Sequence, residues 1–276
     1  MELVSPQPTA AIPAGSGPAF HKRWNGWTIL WIFVVLAFVF IGVQLGTFIA
    51  LLYVKFPDAM AALGRQNPGP LHQLTTNPNF LADLLTPRGF LFIQLPTTVV
   101  MVAATLVLAR GALRATFEDL GFGKRLTAPV VGLAIGAGLV LFILSGLLDA
   151  LQTKVLGPHP QQIALILAKH RGAMAFALDF FSAAILAPLW EETFFRGIFF
   201  TALVQRMPFW PAAILSGIAF GLGHADLWNF IPLAALGVGL AYVYYRTGNI
   251  WANIITHATI NGSDLAIQFL FPQLGN

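Results

Sequence analysis

Two adjacent glutamates stand inside an apolar stretch of the chain. Glu191 and Glu192 follow the apolar residues 180–190 and precede further phenylalanines. An ionisable side chain at membrane depth costs several kcal/mol, so an intramembrane carboxylate indicates function. Arg196 lies one helical turn after Glu192, where pairing would offset the cost of burying that charge. The three residues therefore predict a polar site inside the membrane.

Two other polar pairs share the spacing of four residues that places side chains on one helical face. They are Phe220 with His224, and His257 with Asn261, each on a separate apolar stretch. A carboxylate and an imidazole can hold and deprotonate a water molecule. A second imidazole and a carboxamide can donate hydrogen bonds to the oxyanion of a tetrahedral intermediate. These residue types therefore predict a hydrolytic site, if a bundle brings the three stretches together.

Each pair also has a structural interpretation, and a metal site stays open. A glutamate–arginine pair can join helices, a histidine near a helix end can contact headgroups, and Asn261 can bond a neighbouring helix. The sequence has no HExxH zinc signature. Glu191, His224 and His257 could still supply three zinc ligands, so zinc and no cofactor are both retained. The non-enzyme alternative is a transporter or an immunity-type scaffold, although no internal repeat is visible.

The composition requires elements that suit a bilayer. The chain is 57% hydrophobic and 9% charged, whereas a soluble domain has about 25% charged residues. Continuous apolar runs of about 20 residues indicate helices and argue against a β-barrel. We therefore predict an all-α, polytopic membrane helix bundle. The seven predicted spans are residues 27–54, 89–109, 128–148, 173–205, 209–224, 230–245 and 250–271.

The organisation outside these spans is less regular. An eighth span results if residues 173–205 form two helices, and a kink is possible at Pro188. Residues 1–26 predict a disordered proline-rich tail, followed by one transmembrane domain over residues 27–276. Residues 55–88 predict a long loop with a short helix.

Charge and cysteine content narrow the partners and the location. Basic residues are scattered between the apolar runs and form no cluster, so membrane lipid is the expected partner and nucleic acid is not. The loop charges slightly favour a multi-pass protein with a cytoplasmic N-terminus. The chain has no cysteine, which excludes disulfides and a cysteine nucleophile.

The three pairs resemble, in order, the motifs EExxxR, FxxxH and HxxxN of a known family. They are similar to those of the CAAX-protease and bacteriocin-processing family of intramembrane endopeptidases, which includes the type II CAAX prenyl endopeptidases. The resemblance covers residues 117–268, the protease-like core, and implies a peptide or protein substrate, in some members prenylated. Its members have been described both as metalloproteases and as metal-independent enzymes.

The resemblance also implies a role for each site residue. Glu191 and His224 would activate the water, and His257 and Asn261 would stabilise the oxyanion. Glu192 and Arg196 would organise the site.

Overall fold

The computed structural model describes residue 20 and residues 24–77, 79–157, 169–170 and 172–271. The predicted tail, residues 1–26, therefore lies mostly outside the described residues. All secondary structure in the described part is helical, as predicted. The helices are α1 (Gly26–Lys55), α2 (Pro57–Gly64), α3 (Gly69–Thr75), α4 (Phe80–Leu84), α5 (Pro87–Leu113), α6 (Ala128–Leu156), α7 (Ala173–Val204), α8 (Phe209–Gly223), α9 (Phe230–Thr247) and α10 (Ile250–Leu270).

The long helices coincide with the predicted spans. Four of them, α1, α5, α6 and α7, are long and apolar enough to cross a membrane, while α8 is apolar but shorter. These helices are those of an integral membrane protein, and the prediction of an all-α membrane bundle is confirmed. The number of spans stays a prediction, because α9 and α10 carry more polar residues.

The segment between α1 and α5 differs from its prediction. A long loop with one short helix was expected over residues 55–88, whereas α2, α3 and α4 occupy most of it. Prolines explain this outcome, because Pro57 and Pro70 each lie in the first turn of a short helix, where a missing N–H costs nothing.

Helix α7 is continuous, but its winding changes along its length. Phe181–Leu186 and Thr193–Phe200 are π-helical, and the α-helical turn between them, Ala187–Glu192, carries both glutamates. At Pro188, where a kink was possible, the winding has just changed from π to α. Because π-turns hold more residues than α-turns, they alter which side chains of α7 face the bundle.

The helices that carry the other motifs pack closely against their neighbours. Helices α8 and α9 form a hairpin in which an added Cβ on Gly237 would lie 2.7 Å from the Cα of Gly217. The Asn249 side chain caps α10 by accepting hydrogen bonds from the backbone of Trp251 and Ala252. This cap fixes where α10 begins, and so which of its residues face α7.

The connector between α5 and α6 packs against the same end of the bundle. The carbonyl oxygen of Gly121 accepts a hydrogen bond from the Ile250 amide, at 3.0 Å, where α10 begins. Gly121 has φ +84°, and an added Cβ would lie 2.8 Å from the Tyr244 ring. A glycine is required here both by the backbone conformation and by the close approach.

Candidate active site

Glu192 is the centre of a buried hydrogen-bond network. Its side chain is fully buried. Oε1 accepts a hydrogen bond from Arg196 at 3.1 Å and another from Nδ1 of His257 at 2.7 Å. Oε2 accepts a hydrogen bond from the Asn253 amide. With both oxygens engaged, Glu192 is an organising residue and not a free base.

Arg196 connects three helices around this carboxylate. It is fully buried, and its second terminal nitrogen donates to the carbonyl oxygen of Gly237 on α9 at 3.0 Å. Its guanidinium carbon lies 4.7 Å from the centre of the Phe220 ring on α8, within cation–π range. The planar fork of arginine suits this arrangement, because one group reaches the carboxylate, the carbonyl and the ring.

Glu191 is in a different environment from its neighbour. Its Oε2 is buried and has no hydrogen-bond partner among the described residues. Nε2 of His257 lies 3.9 Å from this oxygen. Glu191 is therefore the carboxylate that is available to a substrate or a water molecule, and His257 lies between the two glutamates.

His224 follows the last residue of α8 and is exposed. Its Nδ1–H donates to the carbonyl oxygen of Phe220 at 2.8 Å, so the lone pair of the neutral ring is on Nε2. The Phe220 ring contacts both imidazoles, with centroid distances of 4.7 Å to His224 and 5.6 Å to His257. In the described part of the chain, the ion-pair contact of Glu191 is with His257 and not with His224.

Asn261 lies one turn after His257 on α10. Its amide donates to the carbonyl oxygen of Ala183 at 2.8 Å, in the first π segment of α7. Because an amide carries two hydrogens, one remains for another acceptor. The structure thus brings Glu191, Glu192, Arg196 and His257 into direct contact and ties Asn261 to the same two helices.

Asn253 belongs to this site, although the sequence analysis did not identify it. It lies four residues before His257, as Asn261 lies four residues after it. The polar residues therefore recur every four positions along one face of an otherwise apolar helix. That repeat was the available signal, and it was missed because only the last pair matched a motif.

A zinc site would need Glu191, His224 and His257 around one point. Among the described residues, no three histidine, aspartate or glutamate side chains gather around a point that could hold a metal ion. Nδ1–H of His257 donates to Glu192 and Nδ1–H of His224 to a backbone carbonyl, which leaves Nε2 as the free ring nitrogen of each histidine. In this arrangement Glu191, His224 and His257 do not come together as a three-ligand zinc site.

Two comparisons with known proteins found a similarity. The family model described as "Type II CAAX prenyl endopeptidase Rce1-like" matches residues 173–263. "Putative membrane peptidase YdiL" of Bacillus subtilis (strain 168) is 38% identical over 79 residues, which is 29% of this chain and 32% of that protein. The match thus spans about a third of the length of this curated relative. No solved structure matches the chain.

The matched segment begins at the start of α7 and ends just after Asn261. It therefore includes all six predicted site residues, together with Asn253. The resemblance drawn from the three motifs is confirmed. Over residues 173–263, the chain is similar to the type II CAAX prenyl endopeptidases of the CAAX protease family.

Proposed function

We propose that this protein is an intramembrane endopeptidase that hydrolyses a peptide bond of a membrane-anchored substrate. One observation carries the proposal: a buried Glu191 oxygen without a hydrogen-bond partner lies beside a glutamate whose two oxygens are fully engaged. A free carboxylate in a preorganised polar cluster is what water activation requires. The similarity to a membrane peptidase supports the reaction class.

Glu191 and His224 activate the attacking water in this proposal. The water transfers a proton to one of these two side chains while its oxygen forms a bond to the carbonyl carbon of the peptide. His224 can accept a proton at Nε2, because its Nδ1–H is committed to the Phe220 carbonyl. The proton is then returned to the leaving amine as the carbon–nitrogen bond breaks.

His257 and Asn261 stabilise the oxyanion of the tetrahedral intermediate. Asn261 contributes the amide hydrogen that Ala183 does not use. His257 donates Nδ1–H to Glu192, so it can donate from Nε2 only when the ring carries both protons.

The purified protein in liposomes provides the test of this proposal. Cleavage of lipid-anchored peptides, with and without a prenylated cysteine, would be followed by mass spectrometry in wild type and Glu191→Gln. Loss of a general base lowers a rate by about 10²–10⁴-fold, and we expect a fall in kcat of that size. Asp264→Asn is the matched control, because it removes an exposed carboxylate on α10 that bonds Gln268 and not the site.

The outcomes separate the candidate functions. Equal rates in Glu191→Gln and wild type would refute the assignment of Glu191. If wild type cleaves neither class of peptide, the non-enzyme alternative of a transporter or scaffold is favoured. Cleavage restricted to the peptides with a prenylated cysteine would assign prenylated proteins as the substrate class.

A further inference from the structure

Asn253 is fully buried on α10 and contacts a residue at the centre of the site. Its amide nitrogen donates a hydrogen bond to Oε2 of Glu192, which lies on α7. His257 lies one turn further along α10 and donates to the other oxygen of the same carboxylate. Asn253 and His257 thus hold Glu192 from one helix, while Arg196 holds it from its own helix.

This arrangement divides the two oxygens of Glu192 between different partners. Arg196 reaches Oε1 with one terminal nitrogen, and its other terminal nitrogen is bonded to Gly237. An arginine and a carboxylate readily form a bidentate pair when both oxygens are free. The Asn253 amide occupies Oε2 and so prevents the carboxylate from turning both oxygens toward Arg196.

The orientation of His257 depends on that division. With Oε1 facing α10, Nδ1–H of His257 has a carboxylate acceptor at 2.7 Å, and Nε2 is directed to Glu191. If the Glu192 carboxylate turned toward Arg196, Nδ1 would lose its acceptor. The ring would then be free to change its tautomer or its orientation.

We propose that Asn253 is a positioning residue, which holds Glu192 so that His257 keeps its proton on Nδ1 and presents Nε2 to the substrate. This inference rests on the proposed function, because it assigns a purpose to the orientation of His257. The competing explanation is that Asn253 only joins α10 to α7 through an interhelical hydrogen bond.

The kinetic test compares Asn253→Leu with a matched variant of Thr256, which lies three residues further along α10. Thr256 is also fully buried on α10, and its hydroxyl donates to the carbonyl oxygen of Ala134 on α6. Thr256→Val therefore removes an interhelical hydrogen bond without touching Glu192. Loss of a partner that orients a site residue costs about 10–100-fold in activity, and we expect a fall of that size in kcat for Asn253→Leu, with KM retained.

We expect Thr256→Val to keep the wild-type kcat. Both variants would be compared at matched folded fractions, which thermal unfolding provides. An equal fall in kcat in the two variants would show that Asn253 only contributes an interhelical hydrogen bond, and it would overturn the proposal. If Asn253→Leu does not fold, Asn253→Ala removes the same amide and leaves more room for the neighbouring side chains.

A second readout does not depend on catalysis. Nitrogen-15 NMR of the His257 ring reports which nitrogen carries the proton, and we expect Nδ1 to be protonated in wild type. In Asn253→Leu, we expect the Nδ1 resonance to shift, because Nδ1–H loses its fixed carboxylate acceptor. Unchanged ring resonances would overturn the proposal, even if no peptide substrate has been found. The ring resonances could change as expected while the wild-type protein cuts no peptide. That result would support the positioning role of Asn253 and contradict the proposed endopeptidase activity.

Discussion

The two glutamates of the site differ in what surrounds them, although they are adjacent in sequence. Glu192 accepts hydrogen bonds from Arg196, His257 and Asn253, which leave neither of its oxygens free. Glu191 keeps a buried oxygen without a hydrogen-bond partner among the described residues. An engaged carboxylate holds the site together, and the available one can react.

Removal of Arg196 should destabilise the protein more than the loss of a single hydrogen bond would. Breaking a buried ion pair by removing one partner costs about 3–5 kcal/mol, because the other charge stays buried. Arg196→Ala leaves the fully buried Glu192 without its cation and Gly237 without a donor. We expect a loss of that size in unfolding free energy, measured by denaturation in detergent.

The double variant Arg196→Met with Glu192→Gln tests this explanation. It removes both charges at similar volume, so stability should recover relative to Arg196→Ala. Activity should not recover, because His257 has then lost its carboxylate acceptor. A double variant as unstable as Arg196→Ala would show that the uncompensated charge is not the cause.

The sequence indicated which residue types form the site but not how they are paired. The spacing of Glu192 and Arg196 was sufficient to predict their contact, because both lie on one helix. The contact of His257 with both glutamates depends on how α10 packs against α7, which no local pattern specifies. The contact of Asn253 with Glu192, which is 61 residues away, depends on the same packing.

At the scale of elements, the helices were predictable from apolar runs, whereas their winding was not. The predicted boundaries of residues 209–224 and 250–271 differ from those of α8 and α10 by one residue. The π segments of α7 on either side of the glutamate pair had no signal in the sequence analysis. Such segments are uncommon and occur often at functional sites.

The close packing of α8 against α9 should be needed for the position of Arg196. An added Cβ on Gly217 would lie 2.5 Å from the carbonyl oxygen of Ala234 and 2.7 Å from a methyl carbon of Val238. Gly217→Ala would therefore push α9 away, and with it the Gly237 carbonyl that Arg196 bonds. Overpacking costs about 1–3 kcal/mol, and we expect a destabilisation of that size together with a lower kcat.

Gly136→Ala on α6 is the control for this substitution, because no atom lies within 4 Å of an added Cβ there. It should leave kcat unchanged and stability equal or slightly higher, since alanine favours helix over glycine. If Gly217→Ala matched this control in both measurements, close approach of the two helices would not be a requirement of the site.

At the scale of the whole molecule, the site extends between the two ends of the bundle: Asn253 and His257 lie in the first half of α10, whereas the exposed His224 follows the last residue of α8. His257 is only seven residues after Ile250, the first residue of α10, and Asn253 is nearer still. The connector between α5 and α6 packs at this same end, through the bond from Ile250 to Gly121. The side of the membrane that this connector faces therefore also fixes the side toward which the start of α10 points.

We predict that this end of the bundle faces the cytoplasm, with the N-terminus on the same side. The loop charges favour this orientation only slightly, so a direct measurement is needed.

The chain has no cysteine, so single cysteines can be introduced without background labelling. Glu118→Cys lies in the exposed part of the connector, and Gln73→Cys lies on α3, at the end of the bundle that α1 reaches. A membrane-impermeant maleimide added to intact cells should label Gln73→Cys and leave Glu118→Cys unmodified until the membrane is opened. The reverse labelling would place the connector and the start of α10 on the outer side of the membrane.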